Sequence, residues 1–463
     1  MRSLITWLWV IGFFLSASCR PTTTKGDPQD QLTFEDERVL RPPAGLQCEV
    51  VDAPPRVDIT LFTDLPQTGR GTLWSSWGNG LLASNDRYYT AIGDHRGTDA
   101  TSRVYEYDPG AKKLRLLVDV AQAIGQKPGA YGHGKIHATI HQAKDGWLYF
   151  ATFWGKPREV RFDDAYRGSI LLRWHPQTEK LENLGVIAPE RGLPASHFDP
   201  ERGLIYFLAL SPGEKDPVEL VVFDIQERKV RFQGGADVTE GTRAFMHDLK
   251  GRVYVSAKER GIARYDPETN RIEPLKSKMP ESVGGLRGNE LRAAARPMKA
   301  GLIYAMTGAG RLFAFDPEKD DLKDLGPNFA AGDYTAVMAL SPDERFLYFP
   351  PGAHGTSVRT GTPVVRYEIA TGKRTALCFL NPILREKLKY NIGGSYNLQI
   401  DPSGERLFIT FNGAPYDPSA RKPKAFGRPS VGVIYLPPAH AEQHASDLPD
   451  RRRAPSEVRQ SAQ

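Results

Sequence analysis

The clearest pattern of apolar and polar positions lies at residues 134–152. Two short runs, Lys135 to Ile140 and Trp147 to Thr152, flank Asp145-Gly146. That dipeptide supplies the positive φ that a tight hairpin needs. The second run is rich in aromatic and branched residues, which suit a half-buried pleated surface. A further hairpin follows at Ile170–Pro176 and Lys180–Leu184, so the unit reads as a four-stranded meander. The unit recurs. Tyr89, Tyr149, Tyr206, Tyr254, Tyr304, Tyr348 and Phe408 each follow a short turn, such as Asn85-Asp86, Lys250-Gly251 or Ser403-Gly404. The intervals of roughly 44 to 60 residues match one supersecondary unit per repeat.

A second echo lies about twenty residues on. It is seen in Tyr107-Asp108-Pro109, Tyr265-Asp266-Pro267 and Phe315-Asp316-Pro317. Seven four-stranded units repeated radially predict an all-β, seven-bladed β-propeller. The run Tyr265-Asp266-Pro267-Glu268-Thr269-Asn270 resembles the blade motif of secreted bacterial propellers of the WD-repeat-like and lactonase-like superfamily, without the WD dipeptide itself. The resemblance covers about residues 70 to 437 and implies architecture rather than activity.

The seventh unit ends at Leu436, stopped by Pro437-Pro438, and lacks an outer strand. An open ring would expose an unpaired edge. Leu46–Val51 is the expected donor, pairing with the strand around Val431–Leu436. The propeller domain is accordingly placed at 44–440. Before it, Leu4–Leu15 is apolar but too short to span a bilayer, and Ser16-Ala17-Ser18 suits signal cleavage. Residues 1–18 therefore read as an export signal. Cys19 follows at once and resembles the acylated cysteine of a bacterial lipoprotein, which implies a periplasmic or cell-surface protein held to the membrane only by an N-terminal lipid. Residues 19–43 read as a polar, Pro-rich tether and 441–463 as a disordered tail. In an oxidising compartment the remaining pair, Cys48 and Cys378, is a candidate disulfide, against the alternative of two separate thiols.

The chain has 463 residues and a formal charge of +6. That balance permits attraction to anions. No zinc-finger spacing or RNA-binding signature occurs, so nucleic acid is not an expected partner, and a monomer is expected.

Propeller geometry separates two faces. The turns between first and second strands are minimal and share one face. The loops between second and third strands share the other, with the starts of the innermost strands. These loops are long: Asp94–Gly97, Lys156–Gly168, Pro212–Pro217, Ala353–Gly361 and Gly413–Pro429. Lys156, Arg158, Arg161, Arg167, Arg421, Lys422, Lys424 and Arg428 make two of them basic. Long loops on a rigid scaffold are where function usually sits. The inner-strand starts of units two to seven carry Lys135 and His137, Ser196 and His197, Arg243, Asn289-Glu290 and Arg292, Asp333 and Tyr334, and Tyr396 and Asn397.

Three functional classes fit these residue types. In the first, a lyase removes a proton beside a uronate carboxylate. Cations must neutralise the developing charge, and a base and an acid must move protons. His137 or His197 is the expected base and Tyr396 the expected acid. Lys135, Arg243 and Arg292 form the carboxylate clamp, with His95 and Tyr334 as further substrate contacts. The mixture is similar in residue type to propeller lyases of the oligogalacturonate and ulvan families. The second class is a non-catalytic binder of a glycan or envelope protein. The third is a hydrolase similar to lactonase-type propellers, with Asn289, Glu290, Asp333 and Asn397 around a divalent metal. Imidazoles and arginines outnumber carboxylates, so this ranks last. No cofactor is expected in the first two.

Overall fold

The computed structural model describes residues 30–66, 72–213, 217–241, 243–281, 288–330 and 332–436. The expected signal, Cys19 and the C-terminal tail lie outside them. Seven sheets follow one another around a central channel, each built on four strands that run mostly antiparallel. Blade one comprises Leu81–Leu82, Tyr88–Gly93, Ser102–Asp108 and Lys113–Asp119. Blade two repeats the plan with an interrupted inner strand, Lys135–Ile136 and His141–Gln142. Its other strands are Leu148–Phe153, Ile170–His175 and Lys180–Val186.

What holds the ring is burial between neighbouring blades. Seven apolar clusters each join two consecutive sheets, and the last packs Tyr88, Tyr105 and Tyr107 of blade one on Phe408, Val431 and Val433 of blade seven. Each large side chain fully withdrawn from water contributes roughly 1.5–3 kcal/mol. The central strands are apolar on both faces because each sheet is covered on both sides. Tyr88–Gly93 and Leu148–Phe153 are buried throughout.

Ring closure uses a different segment from the expected one. Val57–Leu61 pairs antiparallel with Ser430–Ile434 and supplies the outer strand of blade seven. Gln31–Phe34 pairs on its far side, so part of the expected tether is a strand. Leu46–Val51 goes elsewhere: Glu49–Val50 lies parallel to Thr375–Ala376 at the edge of blade six. Asp58 explains the misreading. It is a charged position in the run Val57–Leu61, yet it is 2% exposed. Its carboxylate accepts from Lys112 Nζ at 2.7 Å, Thr33 Oγ1 at 2.6 Å and Tyr435 Oη at 2.9 Å. Lys112 belongs to blade one, so this buried charge ties the closing strand across the seam.

Cys48 and Cys378 are both free thiols, against the candidate disulfide. The register sets Cys48 beside Arg374, four residues from Cys378 along the strand. At ~3.3 Å per residue that is about 13 Å, beyond the ~7 Å a disulfide spans. Among the described residues no helix is long and apolar enough to cross a membrane.

Candidate functional site at the loop-side mouth of the channel

Trp77 stands at the centre of the loop-side mouth. It leads into the inner strand of blade one, the unit for which sequence reading found no polar starting residue. The backbone around it is tied to blade seven. Ser76 N–H donates to Asn412 Oδ1 at 2.7 Å, and Asn412 Nδ2 donates to the Ser76 carbonyl at 3.0 Å. The indole N–H donates to Ser75 Oγ at 2.6 Å. Around the half-buried ring lie His95 at 5.3 Å, His137 at 6.2 Å, His354 at 5.5 Å, Tyr396 at 5.0 Å and Phe426 at 5.7 Å between centroids. Phe426 is within 10° of parallel to it.

Three cations share this surface. Lys135, 8% exposed, holds Nζ 4.9 Å from the centroid of Trp77 and 5.9 Å from that of Phe153. Arg292, 4% exposed, donates from Nε to Tyr334 Oη at 2.5 Å and from Nη1 to the Ala336 carbonyl at 3.1 Å. Its guanidinium also lies over the rings of Tyr334 and Tyr396 at 5.1 and 5.4 Å. Arg243 donates from Nη1 to His137 Nε2 at 3.1 Å. His137 Nδ1 lies 2.7 Å from the Pro194 carbonyl. A carbonyl only accepts, so the ring proton sits on Nδ1 and the Nε2 lone pair is engaged by Arg243.

The electrostatics follow from burial, with Glu290 the one carboxylate among the described residues that acts on Arg243. Burial, then the neighbouring Arg243, pushes the Lys135 ammonium down to about 7. Burial, then Arg243 and Lys135, holds His137 well below the ordinary histidine range. Burial, then Lys135, takes His95 down to about 4. His137 thus holds an arginine through Nε2, and burial brings the Lys135 ammonium down towards neutrality.

His137, Arg243, Arg292 and Tyr396 line one cavity of about 190 Å³ in the channel. His197 lines it too, but towards the turn face. Its strand begins at Gly192 and runs to Asp199, so His197 lies near the far end rather than at the start. It stacks on His247 at 4.2 Å, next to His141, whose Nε2 lies 2.8 Å from Ser196 Oγ. Burial, then His247 and His141, holds it well below the ordinary range. Tyr334 closes the mouth against His354 and Tyr396, with centroids 6.5 and 6.4 Å away.

Trp77, His354 and Phe426 escaped the sequence reading. His354 Nδ1 lies 2.9 Å from Tyr396 Oη. Of the basic loop residues, Arg158, Arg161 and Arg167 are exposed, and Lys156 pairs with Glu159. The lactonase-type set does not converge. Asn289 and Glu290 line a separate cavity, while Asn397 donates to Ser76 Oγ at 2.8 Å. Among the described residues no group of three or more His, Cys, Asp or Glu is arranged to hold a metal.

No family model matches the chain, and no curated protein matches it. Its fold, by contrast, matches 1385 solved chains, which identifies an architecture shared by many activities. The structure of U3-55K is similar at a TM-score of 0.50 with 10% identity, covering 82% of this chain and 98% of that one. The WD40 β-propeller domain of Doa1 aligns at a TM-score of 0.46 with 8% identity, covering 80% of this chain and 95% of that one. The chain is a seven-bladed β-propeller.

Proposed function

We propose that the loop-side mouth recognises a carboxylated sugar within a uronate-containing polysaccharide and that its chemistry is β-elimination. One observation carries this reading. Lys135 lies over Trp77, Arg243 and Arg292 line the same cavity as Trp77, and among the described residues none of the three has a carboxylate within 4 Å, Glu290 acting on Arg243 only from farther away. Arginines of the turn face are paired within their own blades: Arg202 with Asp199 at 3.0 Å, Arg252 with Asp248 at 2.5 Å and Arg406 with Asp401 at 2.8 Å. Burying uncompensated charge is costly, so a site of this kind favours an anionic ligand. The half-buried rings of Trp77 and Phe426 supply an apolar surface for the C–H side of a pyranose ring.

In elimination, the proton next to the carboxylate passes to Lys135 Nζ in its neutral form, so turnover rises with pH over the range in which affinity for the anion falls. Arg243 and Arg292 stabilise the charge that develops on the carboxylate. The bond from the ring to the glycosidic oxygen breaks, and that oxygen takes the proton of Tyr396, which His354 orients. His137 fixes Arg243 and is a positioning residue. The protein would meet such a polymer as an exported lipoprotein anchored through Cys19. Incubation with pectic, ulvan-type or glycosaminoglycan polymers tests the reaction, because unsaturated uronates absorb in the ultraviolet. Rising absorbance that Lys135→Met abolishes supports elimination.

A second reading, glycan binding without turnover, is favoured by the engaged lone pair of His137 and the depressed His95 and His197. Salt-sensitive binding with no product from any polymer would establish it.

A further inference from the structure

The mouth cavity, about 190 Å³, falls below the roughly 300–1,000 Å³ that encloses a drug-sized ligand. It suits one sugar unit rather than a chain. A larger cavity of about 620 Å³ lies beside it on the same face, lined by Phe62, Leu65, Leu73, Lys424, Phe426 and Arg428. Phe426 belongs to both places, stacking on Trp77 and walling the larger cavity.

The groove is built rather than incidental. Gly427, at φ +127°, turns the chain after Phe426 in a conformation that side-chain-bearing residues rarely adopt. Its N–H donates to the Trp74 carbonyl at 3.1 Å, and Arg428 N–H donates to the Gly413 carbonyl at 2.9 Å. Arg428 Nη2 is bound to Asp30 at 2.7 Å and its Nε donates to the Phe62 carbonyl at 3.3 Å, so that arginine is structural. Asn391 Nδ2 donates to the Lys424 carbonyl at 3.0 Å, which fixes the backbone of Lys424. Its exposed ammonium has no carboxylate within 4 Å among the described residues, Asp417 feeling its charge from farther away. The opposite wall carries Leu73, 45% exposed. Leu73 N–H donates to the Asp94 carbonyl at 3.0 Å, tying this wall to the loop that bears His95.

We propose that this groove is a second sugar subsite, so that the ligand is an anionic chain running from Trp77 across Phe426 to Leu73 and Lys424. The apolar wall takes a sugar face and Lys424 takes its acidic group. This inference rests on the function proposed above and specifies a polymer rather than a single sugar.

Dissociation constants for uronate oligosaccharides of two, four and six units test it, with the intact protein and with Lys424→Glu and Leu73→Asp. Both positions are exposed, and melting curves check that the variants fold. The intact protein should bind the longest chain about tenfold more tightly than the shortest, a gain of ~1.4 kcal/mol. Both variants should keep the two-unit affinity within about twofold and lose the gain. Arg243→Ala should weaken every length. If length brings no gain, or both variants retain it, the groove proposal is overturned and the mouth reading stands. If no length binds the intact protein, both fall.

Discussion

Arg243 Nη1 lies 3.1 Å from His137 Nε2, and the Pro194 carbonyl lies 2.7 Å from the other ring nitrogen. The imidazole is thus a neutral bridge that aims a guanidinium into the channel. A side chain that accepts at one end and donates at the other should replace it. His137→Gln should retain most ligand affinity and turnover, whereas His137→Ala should lose roughly tenfold or more, since hydrogen bonds to charged groups are worth about 1.5–3 kcal/mol. Were His137 a general base, the glutamine variant would lose ~10²-fold in turnover with unchanged binding. Comparing KM and kcat for the two variants decides between these roles.

Lys135 should give ligand binding a pH dependence near neutrality. Its ammonium is depressed to about 7 in the free protein, and a bound anion must raise it. Affinity should therefore be flat below about pH 7 and fall above it as the amine becomes neutral. Lys135→Arg should bind with no such slope, because a guanidinium stays charged. Lys135→Met should be weaker and flat. A wild-type profile unchanged between pH 6 and 9 contradicts the assignment.

Buried neutral histidines should weaken the fold in acid. His133 is taken down to about 3 by burial alone, and His141, at the other end of blade two's inner strand, is likewise taken down to about 3. An unfolded histidine titrates near 6.5, so between about pH 6.5 and 3 the unfolded chain binds more protons than the native one. The stabilisation is complete above pH 6.5 and is lost as pH falls, by up to about 1.4 kcal/mol per pH unit per histidine. Urea unfolding at pH 7.5 and 5 measures it. His133→Asn should reduce the difference between the two pH values. An unaltered difference would mean that His133 becomes protonated in the native state.

Closure of the ring should depend on Val57–Leu61. Ile59 is 1% exposed in the closing strand, so Ile59→Ala should cost about 2–5 kcal/mol. Leu46→Ala, beside the peripheral strand of blade six, should cost well under half as much. Denaturant midpoints compare them directly, and equal losses would contradict the observed pairing.

The blades were legible because their signals are local. A turn dipeptide, an aromatic residue after it and a second hairpin mark each repeat, and every predicted blade is present. Closure was legible as a need and illegible as a segment. Asp58 reads as a loop residue until Lys112, 54 residues away in sequence, is seen to neutralise it. Arg243, Arg292, Tyr334 and Tyr396 were legible from propeller geometry, which places inner-strand starts at one mouth. His197 was misplaced because blade three's inner strand begins at Gly192. Trp77 was missed because the inner strand of blade one is only Leu81–Leu82. Phe426 and His354 come from loops, where no periodicity marks the inward residue. The depressed Lys135 and the engaged Nε2 of His137 depend on burial and on one hydrogen bond, neither of which a sequence displays.

The central claim is that the mouth selects a carboxylated sugar. Calorimetric titration with a uronate oligosaccharide, and with the same oligosaccharide after its carboxylates are reduced to alcohols, tests it most directly. The account predicts binding of the carboxylated chain, loss of about tenfold or more in Arg243→Ala, and no measurable binding of the reduced chain. Equal affinity for both chains, or an Arg243→Ala variant that binds as the intact protein does, would contradict it.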